Sequence, residues 1–291
     1  MSWMLLILSI SLAAFKSSLY NAYAKKEQPG IGSTFRFNAV AYGVAALIAL
    51  IALLFADKSL SQPTILCALG YAVIVFLLQT VSVTAMKEGT MALTSVCVMY
   101  GMIIPSLAGP FFWKEPLGVR QIIGVVMMLV SLWLLRGKPG KSGCVVTKKW
   151  RLLAAAAFVL SGMAGVMEKV HQSTTGRAEK ASFVLTACLF MLAFSVAATL
   201  IVRKNGTDGG FNRHIAAFGA VSGAAIGIYS IVNLSLAGML DSMIYYPVAN
   251  GGAMLLTVLA SFVVFREPLD RYKIAGTVLG LCGMAALSIP V

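Results

Sequence analysis

Two lysines inside long apolar runs are the first residues of this chain whose chemistry needs explaining. Lys16 lies in the run 2–24, and Lys169 lies in the run 150–172. An ammonium at lipid depth is costly, and it is kept where it meets a cavity, a solute or a counter-charge. Three readings stay open. The amine contacts a solute or a buried carboxylate; its flexible four-carbon stem snorkels to the headgroups; or Lys169 pairs with the adjacent Glu168 or another carboxylate. Tyr20 follows Lys16 by four residues, which places both on one helical face.

Other polar groups recur at the same spacing. Ser242, Tyr246 and Asn250 form a stripe at i, i+4 and i+8, with Tyr245 on its border and Pro247 and Gly251-Gly252 able to loosen the helix. Tyr229 and Asn233 are four apart, and Gln79 lies near Ser82. Polar groups in lipid-depth helices need partners, so these faces should turn inward. They fit the lining of an aqueous cavity, and they equally fit hydrogen bonds that hold helices together.

The elements that must position these groups follow from composition. Of 291 residues, 59% are hydrophobic and 11% charged, too few charges to cover a water-exposed surface. A membrane span takes about 20 mostly apolar residues. Ten such runs occur: 2–24, 34–55, 64–86, 90–113, 117–135, 150–172, 181–202, 215–236, 242–265 and 269–289. They are apolar all round rather than alternating, which excludes strands and predicts an all-α integral membrane protein. Trp3, Trp113, Trp133 and Trp150 fall near the proposed span ends, where indoles collect at the headgroups. The segment Met1-Ser2-Trp3 lacks the basic region of a cleavable signal, so the first run is read as a retained span.

The excess of 23 Lys+Arg over 10 Asp+Glu, a formal +13, lies mostly beside the apolar runs. There it anchors helix ends and sets orientation, and it does not point to nucleic acid. Cys67, Cys97, Cys144, Cys188 and Cys282 include no CxxC pair, and most sit in apolar runs, which speaks against a disulfide framework or metal site. His171 and His214 are too few for a histidine-rich centre. No residue is assigned a catalytic or metal-ligating role, no cofactor is expected, and the chain is read as no enzyme.

The sequence repeats itself. Phe112-Trp113-Lys114-Glu115-Pro116-Leu117 is matched 152 positions later by Val264-Phe265-Arg266-Glu267-Pro268-Leu269, and Gly124 meets Gly276 in the same register. Residues 1–137 and 150–291 therefore form two five-helix repeats joined by a basic linker, 138–149. An odd number of spans per repeat inverts the second repeat relative to the first. In each Glu-Pro step, proline suits the first helical position and the carboxylate suits the positive end of the helix that begins there. Gly219, Gly223 and Gly227, like Gly276 and Gly280, make smooth stripes for close helix packing. Lys and Arg concentrate in the loops after odd-numbered spans, above all in the Arg136–Arg151 loop. The positive-inside rule then places that loop in the cytoplasm and both termini outside.

Two five-helix halves, each carrying an aromatic-basic-Glu-Pro-Leu step before its last helix, resemble the drug/metabolite transporter superfamily, and more closely its ten-helix EamA-type branch. The resemblance implies a basket of helices around a central cavity, alternating access, and export or exchange of amino acids, sugars, other metabolites or drugs. Members are commonly drawn with cytosolic termini, opposite to the Lys/Arg distribution here. Small multidrug relatives carry a proton-binding glutamate in the first helix, where this chain has Lys16 and no carboxylate.

The expectation is a multi-pass secondary transporter of the cell membrane. It would move a small polar or zwitterionic metabolite, with an anionic group facing Lys16 and a proton or counter-substrate as the coupling partner. No P-loop for nucleotide is present. The alternatives are a lipid translocase, a non-transporting membrane scaffold and, behind them, a membrane-embedded lipid enzyme.

Overall fold

The computed structural model describes residues 2–27, 31–56, 59–88, 91–115, 118–135, 147–175, 179–204, 213–265 and 271–288. Among the described residues the regular structure is entirely helical. In chain order the helices are α1 (Ser2–Glu27), α2 (Ile31–Leu54), α3 (Gln62–Glu88), α4 (Met91–Tyr100), α5 (Ile103–Trp113), α6 (Val119–Leu135), α7 (Lys148–Thr175), α8 (Lys180–Lys204), α9 (Arg213–Ala237), α10 (Ser242–Phe265) and α11 (Arg271–Ser288). By length and composition α2, α3, α7, α8 and α9 can each cross a membrane, and shorter apolar stretches lie in α1, in α4–α5, in α6 and in α11. Outward-facing side chains such as Leu47, Leu50, Ile51, Leu152, Leu200 and Ile201 are largely exposed, as lipid-facing residues should be.

The predicted span 90–113 is not one helix. It breaks at Gly101-Met102 into α4 and α5. Pro105 explains the break: it has no N–H for the carbonyl four residues back, and its ring crowds that carbonyl. Gly101 is held there by a close approach, since a Cβ would lie 2.7 Å from the Cβ of Ser161 on α7. Proline does not break α10, which runs unbroken through Pro247.

The chain separates into two compact units. The first comprises Met1–Leu77 and Met167–Gly238; the second comprises Leu78–Val166 and Met239–Val291. Each draws helices from both halves of the sequence. In the first unit, α2 packs along α8 and α9, and α1 packs on α9. Its core is built of small and aromatic residues, among them Ala45, Ala49, Ala68, Ala72, Phe183, Cys188 and Met191. The expected glycine stripe of α9 seats α2. A Cβ at Gly223 would fall 2.9 Å from the Ala41 Cα, and Gly219 and Gly227 meet Val40 and Ala45 in the same way.

In the second unit, α6 packs on α11, and α10 packs on α5, α6 and α11. The Ser131 hydroxyl donates to the Gly276 carbonyl over 2.7 Å, a bond the neighbouring glycine stripe permits. Trp3 and Trp133 are half exposed, as interfacial indoles should be. Trp150 is different: its ring is buried and its N–H donates to Thr94 over 3.1 Å.

One carboxylate reaches a helix other than the one that follows it. Glu115 was expected to serve the start of the helix that follows it. Its carboxylate accepts the backbone N–H of Ser242 at 2.7 Å and the Ser242 hydroxyl at 3.2 Å, so it caps α10. Lys114, in the left-handed region at φ 53°, turns the chain out of α5 just before it. The counterpart step at Glu267 and Pro268 lies outside the described residues.

Candidate functional site

Four helices of the first unit bring ionisable and hydrogen-bonding groups together. Tyr229 and Asn233 are one turn apart on α9, so they share a face about 6 Å long. Lys16 of α1 sets its ammonium 4.3 Å above the centre of the Tyr229 ring. One turn along, Asn233 Nδ2 donates to the Glu168 carboxylate of α7 over 2.8 Å. The Tyr71 hydroxyl, from α3, hydrogen-bonds the same carboxylate. Through Tyr229 and Asn233, one turn apart, the Lys16 amine and the Glu168 carboxyl group are brought to one site.

Lys16, Tyr71, Glu168 and Tyr229 are each half-buried, while Asn233 beneath them is 5% exposed. A cation over an aromatic face is held by about 1 kcal/mol, more when water is excluded. Each bare charge at bilayer depth costs about 3 kcal/mol on insertion scales. Placing opposite charges together offsets much of that cost.

The other expected site residues fall as follows. The Tyr20 side chain lies outside the described residues. Lys169 is half-buried on α7, but successive helical residues are rotated by about 100°, so it does not share the face of Glu168. Gln79, Tyr246 and Asn250 belong to the second unit. There the Tyr246 hydroxyl donates to the Gly165 carbonyl, and Asn250 Nδ2 donates to the Tyr246 carbonyl over 3.0 Å, one turn back in its own helix.

Glu168 and Tyr71 were not among the expected site residues, although Glu168 was weighed as a partner for Lys169. The signal for Glu168 was present. The 152-residue offset that aligns Glu115 with Glu267 also aligns Lys16 with Glu168, Ser9 with Ser161, Lys25 with Arg177 and Glu27 with Glu179. The residue equivalent to Lys16 is thus a glutamate, one position before Lys169. Nothing comparable marks Tyr71, one of several tyrosines in apolar surroundings.

A second polar cluster joins the N-terminal end of α3, the C-terminal end of α7 and the loop before α8. The Glu179 carboxylate accepts from the Ser61 backbone N–H at 3.1 Å, from the Ser61 hydroxyl at 2.7 Å and from the Thr64 hydroxyl. The hydrogen bond from Thr64, then that from Ser61, holds the Glu179 carboxyl below the usual carboxylate range. Thr64 Oγ1 also lies 3.1 Å from Nε2 of the fully buried His171, and Thr175 Oγ1 lies 3.0 Å from the same nitrogen.

The two hydroxyl protons are already committed, Thr64 to Glu179 and Thr175 to the His171 carbonyl. Both oxygens are therefore left to accept, and Nε2 carries the proton. Gln172 Nε2 donates to Nδ1 over 3.1 Å, which fits the same neutral tautomer. Phe183 stacks on the imidazole at 4.2 Å and also meets the Tyr71 ring, so an apolar ring separates this cluster from the Lys16–Glu168 site.

Comparison with known proteins agrees with a helical membrane carrier. No curated protein matches the chain. One solved crystal structure of a protein matches over 99% of this chain and 96% of its own, with a TM-score of 0.77 and 16% sequence identity; a likeness at that identity shows a shared fold alone. Residues 3–137 match the EamA-like transporter family. Over those residues this multi-pass membrane protein is similar to the EamA-like transporters, a family of the drug/metabolite transporter superfamily.

Proposed function

We propose that the chain is a secondary transporter of the cell membrane. It carries a small polar metabolite by alternating access of two inverted five-helix repeats, exporting it or exchanging it for a counter-solute. The 152-residue register supports the repeats, with its matched Glu-Pro steps. So does the pairing of equivalent helices, α2 with α8 and α6 with α11. Residues 1–137 and 150–291 are then the two exchanging repeats. The Arg136–Arg151 loop is cytoplasmic and both termini are outside.

The observation that carries this reading is the Lys16–Glu168 site. An amine and a carboxyl group, with two tyrosines and an amide around them, suit a polar solute that offers hydrogen bonds or charges of its own. A structural ion pair offsets its desolvation only when the two groups also hydrogen-bond each other well. Here Lys16 lies against Tyr229, and Glu168 is held by Tyr71 and Asn233. No covalent step is needed; the work is binding and reorientation.

The test is solute flux in proteoliposomes, with candidate solutes first selected by thermal stabilisation of the purified protein. Lys16→Ala and Glu168→Gln are expected to abolish saturable flux while each protein still inserts and elutes as a folded species. Unchanged flux by both well-folded variants would remove the site from the transport path.

A further inference from the structure

We propose that Glu179 gates this carrier. Its bonds to Ser61 and Thr64 shut the membrane face opposite the Arg136–Arg151 loop, and the loop face has no equal closure. The empty carrier therefore rests open toward the loop. This rests on the transporter reading above and goes further, naming the residue that decides which face is shut.

The gate lies where the two repeats meet. Ser61 and Thr64 belong to the first repeat and Glu179 to the second, and the span 150–172 separates Glu179 from the loop. The Glu179 carboxylate accepts the Ser61 backbone N–H at 3.1 Å, the Ser61 hydroxyl at 2.7 Å and the Thr64 hydroxyl. The same seam is crossed twice more. The Ser182 hydroxyl donates to the Ser59 carbonyl over 2.6 Å, and His171 Nε2 meets the Thr64 oxygen at 3.1 Å.

His171 follows Glu168 by about one helical turn on α7, so the seam stands over the Lys16–Glu168 site. Phe183, only 2% exposed, fills the space between, its ring 4.2 Å from the imidazole and 5.6 Å from the Tyr71 ring. A solute arriving from this face meets a polar clasp and then an apolar ring.

The sequence makes this closure one-sided. Under the 152-residue offset Glu179 corresponds to Glu27, which follows the first span and so belongs to the loop face. Its surroundings do not recur: Ser61 becomes Arg213, Thr64 becomes Ala216, His171 becomes Leu19 and Ser182 becomes Gly30. Only the glutamate is kept. Arg213 is exposed, and an exposed ion pair contributes little. Hydrogen bonds donated onto a carboxylate in a half-buried corner are the stronger kind. Exchanging the conformations of the repeats would trade the strong closure for the weak one, so populations favour the clasped state.

The test labels the site from each face with a membrane-impermeant maleimide, in right-side-out and inside-out vesicles. The full chain carries alanine at its native cysteines and Tyr229→Cys as reporter. A companion chain keeping only Cys144, in the loop, identifies the vesicles that expose the loop face. The reporter is expected to react about tenfold faster from the loop face. Glu179→Ala should raise the rate from the opposite face about fivefold, and the milder Glu179→Gln, which still accepts hydrogen bonds, should raise it less. Arg213→Ser with Ala216→Thr gives the loop face the same hydroxyls and should slow labelling there about threefold. A corner that only stabilises the fold predicts no such slowing.

Equal labelling from both faces, or faster labelling from the Glu179 face, overturns the proposal. So does failure of either set of folded variants to shift the rates. Access from both faces in those cases leaves the transporter reading standing. A reporter reached from one face alone, or from neither, in every variant overturns both.

Discussion

The Tyr246 hydroxyl donates to the Gly165 carbonyl across 2.5 Å, and its ring fills the space that a side chain at Gly165 would need. A Cβ there would lie 3.0 Å from the tyrosine ring and 3.0 Å from the Pro105 ring. The glycine, the phenol and the proline make one joint between α7, α10 and α5. Tyr246 is 4% exposed, so the joint has no water to compete for the bond. Of the two roles open for the Ser242–Tyr246–Asn250 stripe, the contacts of Tyr246 are those of helix-to-helix attachment.

Tyr246→Phe should therefore destabilise the protein by about 1 kcal/mol, the net worth of one buried hydrogen bond. Solute affinity should be unchanged. Thermal unfolding and the KM of flux, measured on the same preparation, separate the two roles. A raised KM at unchanged stability would return Tyr246 to the cavity lining.

Gly223→Val should be more damaging. The added side chain meets the Ala41 backbone, which has no rotamer with which to yield. Forcing α9 away from α2 should cost about 1 to 3 kcal/mol, as overpacking does. Val at the exposed position 221 of the same helix is native and harmless, so helix propensity is not the cause. The measurement is the thermal midpoint of Gly223→Ala and Gly223→Val, expected to fall in that order.

Glu115→Ala leaves the Ser242 N–H and hydroxyl without their carboxylate at the start of α10. Loss of a charged cap should cost about 1 to 2 kcal/mol. Ser242→Ala removes only the longer bond and keeps the backbone one, so its cost should be the smaller of the two. Comparing the two variants by thermal unfolding checks the ranking.

Acidification should weaken the α3–α7–α8 corner through Glu179. Hydrogen bonds from Thr64 and Ser61 lower its carboxyl from the model-compound value of 4.5, so the unfolded chain takes up this proton more readily than the folded one. The stabilisation is complete above pH 4.5 and is lost as pH falls through the lowered folded value. Glu179→Gln should remove that part of the pH dependence. Thermal midpoints of both proteins across this range test it: parallel curves would mean that Glu179 contributes nothing.

The helices were legible because lipid makes a single demand on every residue of a span. Nine of the ten apolar runs each match one helix to within a few residues, and the spacing of Gly219, Gly223 and Gly227 announced a close neighbour. The break at Gly101 was missed because an apolar window averages over Pro105, whose effect on the carbonyl four residues back is local. Lys16, Tyr229 and Asn233 were legible as costly polar groups, and they do come together. Lys169 drew attention by its charge, yet its neighbour Glu168 carries the contact, because a step of one residue on a helix changes the face.

By itself the sequence determined that this chain is helical and lives in lipid, that its polar groups are few enough to be suspects, and that Lys16 and Glu168 stand at the same 152-residue offset as the matched Glu-Pro steps. These are matters of composition, period and offset, all of which can be read along a line. Only tertiary structure decided that Asn233 reaches the Glu168 carboxylate, that Glu115 caps α10, and that the Tyr246 hydroxyl meets the Gly165 carbonyl. Those partners are scores of residues apart in the chain. Which face meets which depends on how the helices rotate to satisfy every buried donor at once, and no local spacing encodes that choice.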